Sequence, residues 1–335
     1  MKRLVINEPG TFLSARKGMV VVKKRGEKIL EVSPSNIGQV VVLTRGASMS
    51  SAVVTLLARH NVDIVFYSGG YPEAKLSSFT GKGTVALRKA QYSAQGKPSG
   101  AYLAKRFSWA KVVNQKALLR EAGKNRPRLS TTLIELSKEE AKIAEEILSL
   151  EGSCVDDVRS EIMKLEAEAA KIYWEGFKLI LPEDAGFPGR RKRFEMPDDP
   201  INIMLNFCYS LLSMEVWLAV ESAGLDAYAG FLHVDSPRRP ALVMDAMEEF
   251  RQPVVDRAVL RLAWSMKNLH STVENGRLKR EARFAAVKAV SERLSEQVSF
   301  LGRRLPFHSH IFLQARRIAD YLLSRTQDYK PFTMR

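Results

Sequence analysis

The sequence predicts an α+β protein, with a small N-terminal β-rich domain over residues 1–87 and a larger all-α C-terminal domain over residues 88–335. Three observations lead there. The chain has 335 residues, more than the ~100–200 of a usual domain and enough for two cores. Its first quarter consists of short β-branched runs between turn residues. From about Arg88 the apolar residues recur at helical spacing, with no repeat of fixed period.

In the first domain, Val20-Val21-Val22, Lys28-Ile29-Leu30-Glu31-Val32 and Gln39-Val40-Val41-Val42-Leu43 read as strands. Gly18, Gly26 and Ser33-Pro34-Ser35-Asn36 punctuate them as turns. Ser50 is placed to cap a helix that runs to His60, and Val62-Asp63-Ile64-Val65-Phe66-Tyr67 returns to strand before Ser68-Gly69-Gly70. In the second domain, Ser137-Lys138-Glu139-Glu140 matches a capping box, in which a hydroxyl and a carboxylate satisfy free backbone amides at a helix start. Ile143, Ala144, Ile147, Leu148 and Leu150 follow it at helical spacing. A further helix is expected from Val155 to Ile180. Asp199-Pro200 is an N-cap followed by proline at the first helical position, opening a helix that Gly224 closes. Later helices are expected at residues 245–269, 280–294 and 311–323.

Composition narrows the function. The net charge is +15, distributed as +9 over residues 1–90, −4 over 91–250 and +10 over 251–335. Basic ends around an acidic middle suit a nucleic acid partner, because cations hold phosphates while carboxylates hold a metal where chemistry occurs. A merely solvated basic surface is the alternative. Cys154 and Cys208 are too few for a disulfide framework or a four-thiolate zinc site, and cytoplasm is the expected compartment. No run reaches ~18 uninterrupted apolar residues, so no membrane association is expected, and Glu8 follows Met1 too closely for a secretory leader.

Three places carry potential chemistry. On the 155–180 helix, Glu166 falls within the apolar arc of Ile162, Leu165, Ala169, Ala170 and Tyr173, where an unpaired charge is costly. It requires either an arginine from another helix or a metal ion. In Gly230-Phe231-Leu232-His233-Val234-Asp235, a short apolar approach delivers an imidazole to a polar loop; His233 is either a hydrogen-bonded structural residue or a ligand. Asp245 and Glu248 share one helix face, where they either suit the helix dipole or reach one ion. Two carboxylates and an imidazole form a mixed oxygen and nitrogen set that fits Mn²⁺ or Mg²⁺.

With these segments in view, the sequence resembles the CRISPR-associated integrase of spacer acquisition, the Cas-one family, over nearly its whole length. The resemblance is carried by Leu165 to Trp174, Pro200-Ile201-Asn202 with Tyr209-Ser210-Leu211-Leu212, Ala223-Gly224-Leu225-Asp226, Gly230-Phe231-Leu232-His233, and Asp245 to Arg251 with Val255-Asp256-Arg257. Flanking signatures are Ala104-Lys105, Lys111, Asn114-Gln115, Gln314-Ala315-Arg316-Arg317 and Tyr329-Lys330-Pro331-Phe332. The resemblance implies a metal-dependent homodimer with Glu166, His233 and Glu248 as ligands of Mn²⁺ or Mg²⁺, Asp245 assisting. Ala167 and Glu249 depart from the family's usual glycine and proline.

It further implies an endonuclease and integrase that joins the 3′-hydroxyl end of captured double-stranded DNA to a phosphodiester of a CRISPR repeat, alongside a Cas-two family protein. Arg190, Arg191, Lys192, Arg193 and Arg251 are the expected DNA contacts, with Arg277-Leu278-Lys279-Arg280 and Arg303-Arg304 as further cation clusters. A metal-dependent nuclease for branched or single-stranded DNA, and a non-enzymatic DNA-binding scaffold, are the competing readings.

Overall fold

The structure, a computed structural model, describes residues 2–68, 71–78, 85–191, 199–237, 239–266 and 268–334. The chain divides into two compact units, Met1–Lys82 and Gly83–Arg335. The boundary expected after Leu87 lies inside the first helix of the second unit.

The N-terminal unit is built from β1 (Lys2–Ile6), β2 (Thr11–Arg16), β3 (Met19–Lys24), β4 (Glu27–Val32), β5 (Ile37–Val42), β6 (Ser48–Met49), α1 (Ser51–Arg59), β7 (Asp63–Ser68) and β8 (Tyr71–Leu76). They form two four-stranded sheets. One has the order β1-β5-β7-β8, parallel except for β8; the other, β4-β3-β2-β6, is antiparallel except for β6. The hairpins that join β2 to β3 and β3 to β4 turn at Lys17-Gly18 and Arg25-Gly26. Both residues of each pair have positive φ, the geometry that matches the twist of the flanking strands. Ser50 caps α1 by accepting from the Val53 amide. Val53 and Leu57, one turn apart on α1, pack with Leu13, Val20, Val40 and Ile64 into the core. β1, β2, β6 and β8 lie outside the sequence-predicted strands: β6 has two residues, β2 and β8 mix polar, charged or proline residues with their apolar ones, and β1 carries the short apolar run Leu4-Val5-Ile6 behind two cations.

The C-terminal unit contains α2 (Val85–Gln95), α3 (Pro98–Lys124), α4 (Ser130–Ser149), α5 (Val155–Ile180), α6 (Pro200–Ser222), α7 (Ala241–Met247), α8 (Arg257–Ser265), α9 (Arg280–Ser295) and α10 (Phe307–Leu322). Two short hairpins, β9 (Val273–Glu274) with β10 (Arg277–Leu278) and β11 (Gln297–Phe300) with β12 (Arg303–Pro306), interrupt its helices. α3, α4 and α5 pack together along their lengths. α6 has the length and apolarity of a membrane span, at mean hydropathy 1.6, but most of it is buried against α7, α8, α9 and α10. Asp199 caps α6 by accepting from the Asn202 amide, as its sequence predicts.

Two expectations are corrected. Ser137 is not a cap: α4 begins seven residues earlier, Ser137 donates back to the Ile134 carbonyl, and Glu140 is buried. Leu133 continues the apolar face upstream, so the helix has no reason to start at the serine. The single helix expected over 245–269 is instead α7, a π-helical turn at Arg251–Asp256, and α8. Pro253, which lacks an amide hydrogen, sits in that turn, and such widened turns commonly occur at functional sites.

The C-terminal segment closes the core. Phe332 is fully buried, with ring centroids 5.0 Å from Phe250 and 4.8 Å from Phe300. Phe332→Ala is expected to lower unfolding free energy by about 3–5 kcal/mol in urea titrations; a loss under about 1 kcal/mol would show that the segment is not part of the cooperative core.

Candidate metal centre

The site forms where α3, α5 and α7 meet the loop that follows α6. Glu166 lies on the buried face of α5 at 7% exposure, as the helical arc predicts, and α5 runs straight through Ala167. Its partner is a lysine rather than an arginine: Lys111 of α3 donates to Glu166 Oε1. The same ammonium lies 3.2 Å from Glu248 Oε2. Lys111 thus bridges two carboxylates that are 82 positions apart in sequence.

Glu248, just past the end of α7, is almost fully buried. Its Oε2 lies 2.9 Å from Arg251 Nε, but these are charge contacts and the atoms are not aligned as a directed hydrogen bond. Burial opposes ionisation of Glu248; Arg251, Lys111 and His233 outweigh it and hold the carboxyl well below its usual range. For Lys111 the same balance runs in reverse. Desolvation disfavours its charge, and Glu166 and Glu248 more than restore it, so the ammonium persists.

Asp245 does different work. Fully buried on α7, its Oδ2 accepts from the amides of Phe231, at 2.6 Å, and Leu232, at 3.0 Å. Its Oδ1 accepts from the His233 amide at 2.9 Å and pairs with His233 Nδ1 at 2.7 Å. One carboxylate therefore shapes the loop and orients the ring at its end. Gly230 makes this approach possible, since a Cβ there would stand 2.6 Å from Ala241 Cβ and 3.0 Å from Asp245 Oδ2. With Nδ1 held by Asp245, Nε2 of His233 is the nitrogen left to ligate. Burial works against the His233 cation, but the hydrogen bond to Asp245 and the charges of Asp245, Glu248 and Glu166 raise its pKa.

Among the described residues, no three His, Cys, Asp or Glu side chains converge as a preformed metal cluster. Two of the expected ligands, Glu166 and Glu248, are instead joined by the Lys111 ammonium, a cation held by both carboxylates. A cation therefore already stands where the set can bind one, Glu248 Oε2 has no directed partner, and the donors are two oxygens and one imidazole. Two carboxylates and an imidazole are the donor types that a hard divalent ion takes.

A second buried cluster supports the π-helical turn. Asp256 accepts from the hydroxyls of Tyr173 and Tyr209. Burial pushes its pKa up to about 6, against the pull of both tyrosines, Arg251 and Arg190. Arg251 lies 4.8 Å above the Tyr209 ring. Arg190 is engaged with α6 through Asn202 Oδ1 and Asn206 Oδ1, each at 2.6 Å, so it anchors its loop. The Arg191 amide donates to Asn202 at 3.2 Å, and Lys192 and Arg193 lie outside the described residues. Arg277, Lys279, Arg280, Arg303 and Arg304 are exposed.

Glu249, the departure from proline, is a buried anchor. It accepts from Tyr329, from Gln314 at 2.7 Å and from the Phe332 amide at 2.6 Å. Asn114 completes the latch, donating to the Glu249 and Phe332 carbonyls and accepting from the Met334 amide. Burial raises the Glu249 pKa to about 7 despite these donors. The sequence reading gave no role to Lys111, Asn114, Gln314 and Tyr329 beyond family signatures; their function lies in contacts that are distant in sequence.

Asp245→Asn removes one accepting oxygen and is expected to weaken Mn²⁺ binding about 10- to 100-fold by calorimetry, the usual cost of losing an outer partner of a ligating histidine. Unchanged affinity would contradict the assignment of Asp245 to His233. Because a proton on Nε2 blocks ligation and the His233 pKa is raised, Mn²⁺ affinity should fall as pH drops through a value above the ordinary 6.5 of histidine.

Comparison with known proteins identifies the family. The family described as CRISPR associated protein Cas1 matches residues 4–292. A CRISPR-associated endonuclease Cas1 of Archaeoglobus fulgidus is 36% identical over 334 residues, covering 96% of each chain. Among solved structures, a casposase bound to its integration product superposes with a TM-score of 0.75 at 26% identity, covering 98% of this chain and 93% of that one. The Cas6-RT-Cas1–Cas2 complex matches with a TM-score of 0.74 at 20% identity, over 100% of this chain and 36% of that one, a likeness of fold. The chain belongs to the Cas1 family of CRISPR-associated proteins.

Proposed function

We propose that this chain is a DNA integrase and endonuclease that works with Mn²⁺ or Mg²⁺ at Glu166, His233 and Glu248, joining a captured DNA 3′ end to a CRISPR repeat. The observation that carries the reading is the Lys111-bridged pair Glu166 and Glu248, buried beside a histidine that Asp245 orients. Membership of the Cas1 family and likeness to a casposase with its integration product support the reaction class. A scaffold has no need to bury two carboxylates around one cation, a costly arrangement that function explains better than stability.

In strand transfer, the 3′ oxygen attacks phosphorus, the repeat's P–O3′ bond breaks, and a proton passes from the attacking hydroxyl to the departing 3′ oxygen. Held by Glu166, His233 and Glu248, a divalent ion would supply Lewis-acid polarisation of the phosphate and compensation of the charge that develops on the oxygens. The chain's own residues set the geometry. Asp245 fixes the histidine tautomer, Arg251 presents a cation beside Glu248 to a phosphate oxygen, and the rigid π-helical turn keeps Arg251 in place. Exposed Arg277, Lys279, Arg280, Arg303 and Arg304 are offered to the DNA backbone, which they would hold without reading sequence.

Glu166→Ala, His233→Ala and Glu248→Ala are each expected to abolish joining on a supercoiled repeat-bearing plasmid while DNA binding by anisotropy persists. A blocked 3′ end should stop joining in the wild type; cleavage that continues with blocked ends would favour a nuclease with water as nucleophile.

We also infer a homodimer formed through the N-terminal unit, a Cas2-type partner and a cytoplasmic setting. β4 is an edge strand that exposes Ile29 at 59% and Leu30 at 41% between the ion-paired Lys28 and Glu31, an apolar pair that a second chain could cover. Light scattering should give twice the chain mass at micromolar concentration, reverting to monomer in Ile29→Lys with Leu30→Glu. A monomeric wild type would contradict the dimer. The likeness to the Cas1–Cas2 complex supports the second partner; no co-elution with a Cas2 protein and DNA would remove it.

A further inference from the structure

Glu140 is a carboxylate that the proposed mechanism does not use, on the helix packed against the one that carries Lys111. It lies on α4 against α3, fully buried, and neither of its oxygens has a hydrogen-bond partner. Buried carboxylates without partners are costly, so such a group is informative. Burial raises its pKa well above the ordinary value, and the two cations that oppose this are Lys111 first and Lys116 second. Geometry places the two side by side: Val112, next to Lys111 on α3, shares one apolar cluster with Ile143, three positions from Glu140 on α4, so the lysine that bridges Glu166 and Glu248 lies on the stretch of α3 that packs against Glu140.

A divalent ion held by Glu166 and Glu248 must compete with that ammonium for the same oxygens, and like charges at contact distance repel. Lysine is suited to yield, because a compact charge on a flexible four-carbon stem can change partners without moving its helix. We propose that Lys111 is a resident cation of the site: it neutralises Glu166 and Glu248 until a divalent ion arrives, then swings to Glu140, whose unpartnered oxygens receive it. Glu140 and Lys111 are then positioning residues that set metal affinity, with no contact to the reacting atoms required. The inference rests on the reading of Glu166, His233 and Glu248 as the metal ligands.

Calorimetric titration of Mn²⁺ into the full chain tests both and separates them. Lys111→Met should bind Mn²⁺ at least about tenfold more tightly, and Glu140→Gln about tenfold more weakly, because the ammonium loses its second seat. Adding Glu140→Gln to Lys111→Met should then change nothing, which a general electrostatic effect does not require. Lys116→Met, a nearby cation with no contact to the ligands, should change affinity less than about threefold. The inference is overturned by equal affinity in wild type and Lys111→Met, or by a Glu140→Gln effect that survives in Lys111→Met. If Lys111→Met does not fold, Lys111→Arg serves: its planar guanidinium, with donors in a rigid fork, holds the two carboxylates more firmly than an ammonium and changes partners less readily, so Mn²⁺ should bind about tenfold more weakly. Wild-type affinity in Lys111→Arg would overturn the inference. Glu166→Gln should abolish binding; Mn²⁺ affinity that survives it would instead overturn the metal-site reading, and the inference with it.

Discussion

The bridge from Lys111 to Glu166 and Glu248 is the interaction around which the catalytic unit is organised. Two carboxylates in a protein interior are tolerable only if a cation compensates both, and removing one partner of such a group costs several kcal/mol. Lys111 and Arg251 supply that compensation from two sides, Lys111 from α3 and Arg251 from the π-helical turn after α7. The helices that carry these four residues are consequently held in register by charge as well as by packing. A pair that is costly for stability and shaped like a cation site is a functional investment.

Around that bridge the fold supplies two supports. Asp245 accepts four hydrogen bonds from the His233 loop, so the imidazole is fixed by α7 itself, and Gly230 lets the loop come close enough for this. Beneath α7, Glu249 and Asn114 clasp the C-terminal segment, whose Phe332 fills the core beside Phe250. Adjacent residues Glu248 and Glu249 thus have different partners, one the Lys111 and Arg251 cations and one the C-terminal latch. The proline usual in the family at this position has no carboxylate for the latch.

Much of this was legible in the sequence because the relevant signals are local. Alternating β-branched runs, the Asp199-Pro200 start of α6 and the misplaced Glu166 on an apolar helical face each depend on neighbours within one or two turns. Family resemblance supplied the proposal that Glu166, His233 and Glu248 are ligands. What stayed hidden depends on contacts between distant segments: the role of Lys111, the Tyr173–Asp256–Tyr209 cluster, and the tie of Arg190 to α6. Ser137 shows the limit of motif reading, since its capping pattern is genuine in sequence and irrelevant in a helix whose apolar face begins earlier. Likewise, the break of the 245–269 helix into α7, a π-helical turn and α8 follows from Pro253 and from Asp256 being drawn to two buried tyrosines.

The proposed site joins Glu166, Glu248 and Nε2 of His233 around one divalent ion. Pulsed electron paramagnetic resonance on the Mn²⁺-loaded protein tests it most directly, because bound imidazole nitrogen couples to the metal electron spin. The account expects coupling to a single histidine nitrogen in the wild type and its loss in His233→Ala. No nitrogen coupling in the wild type, or coupling that persists in His233→Ala, would contradict it.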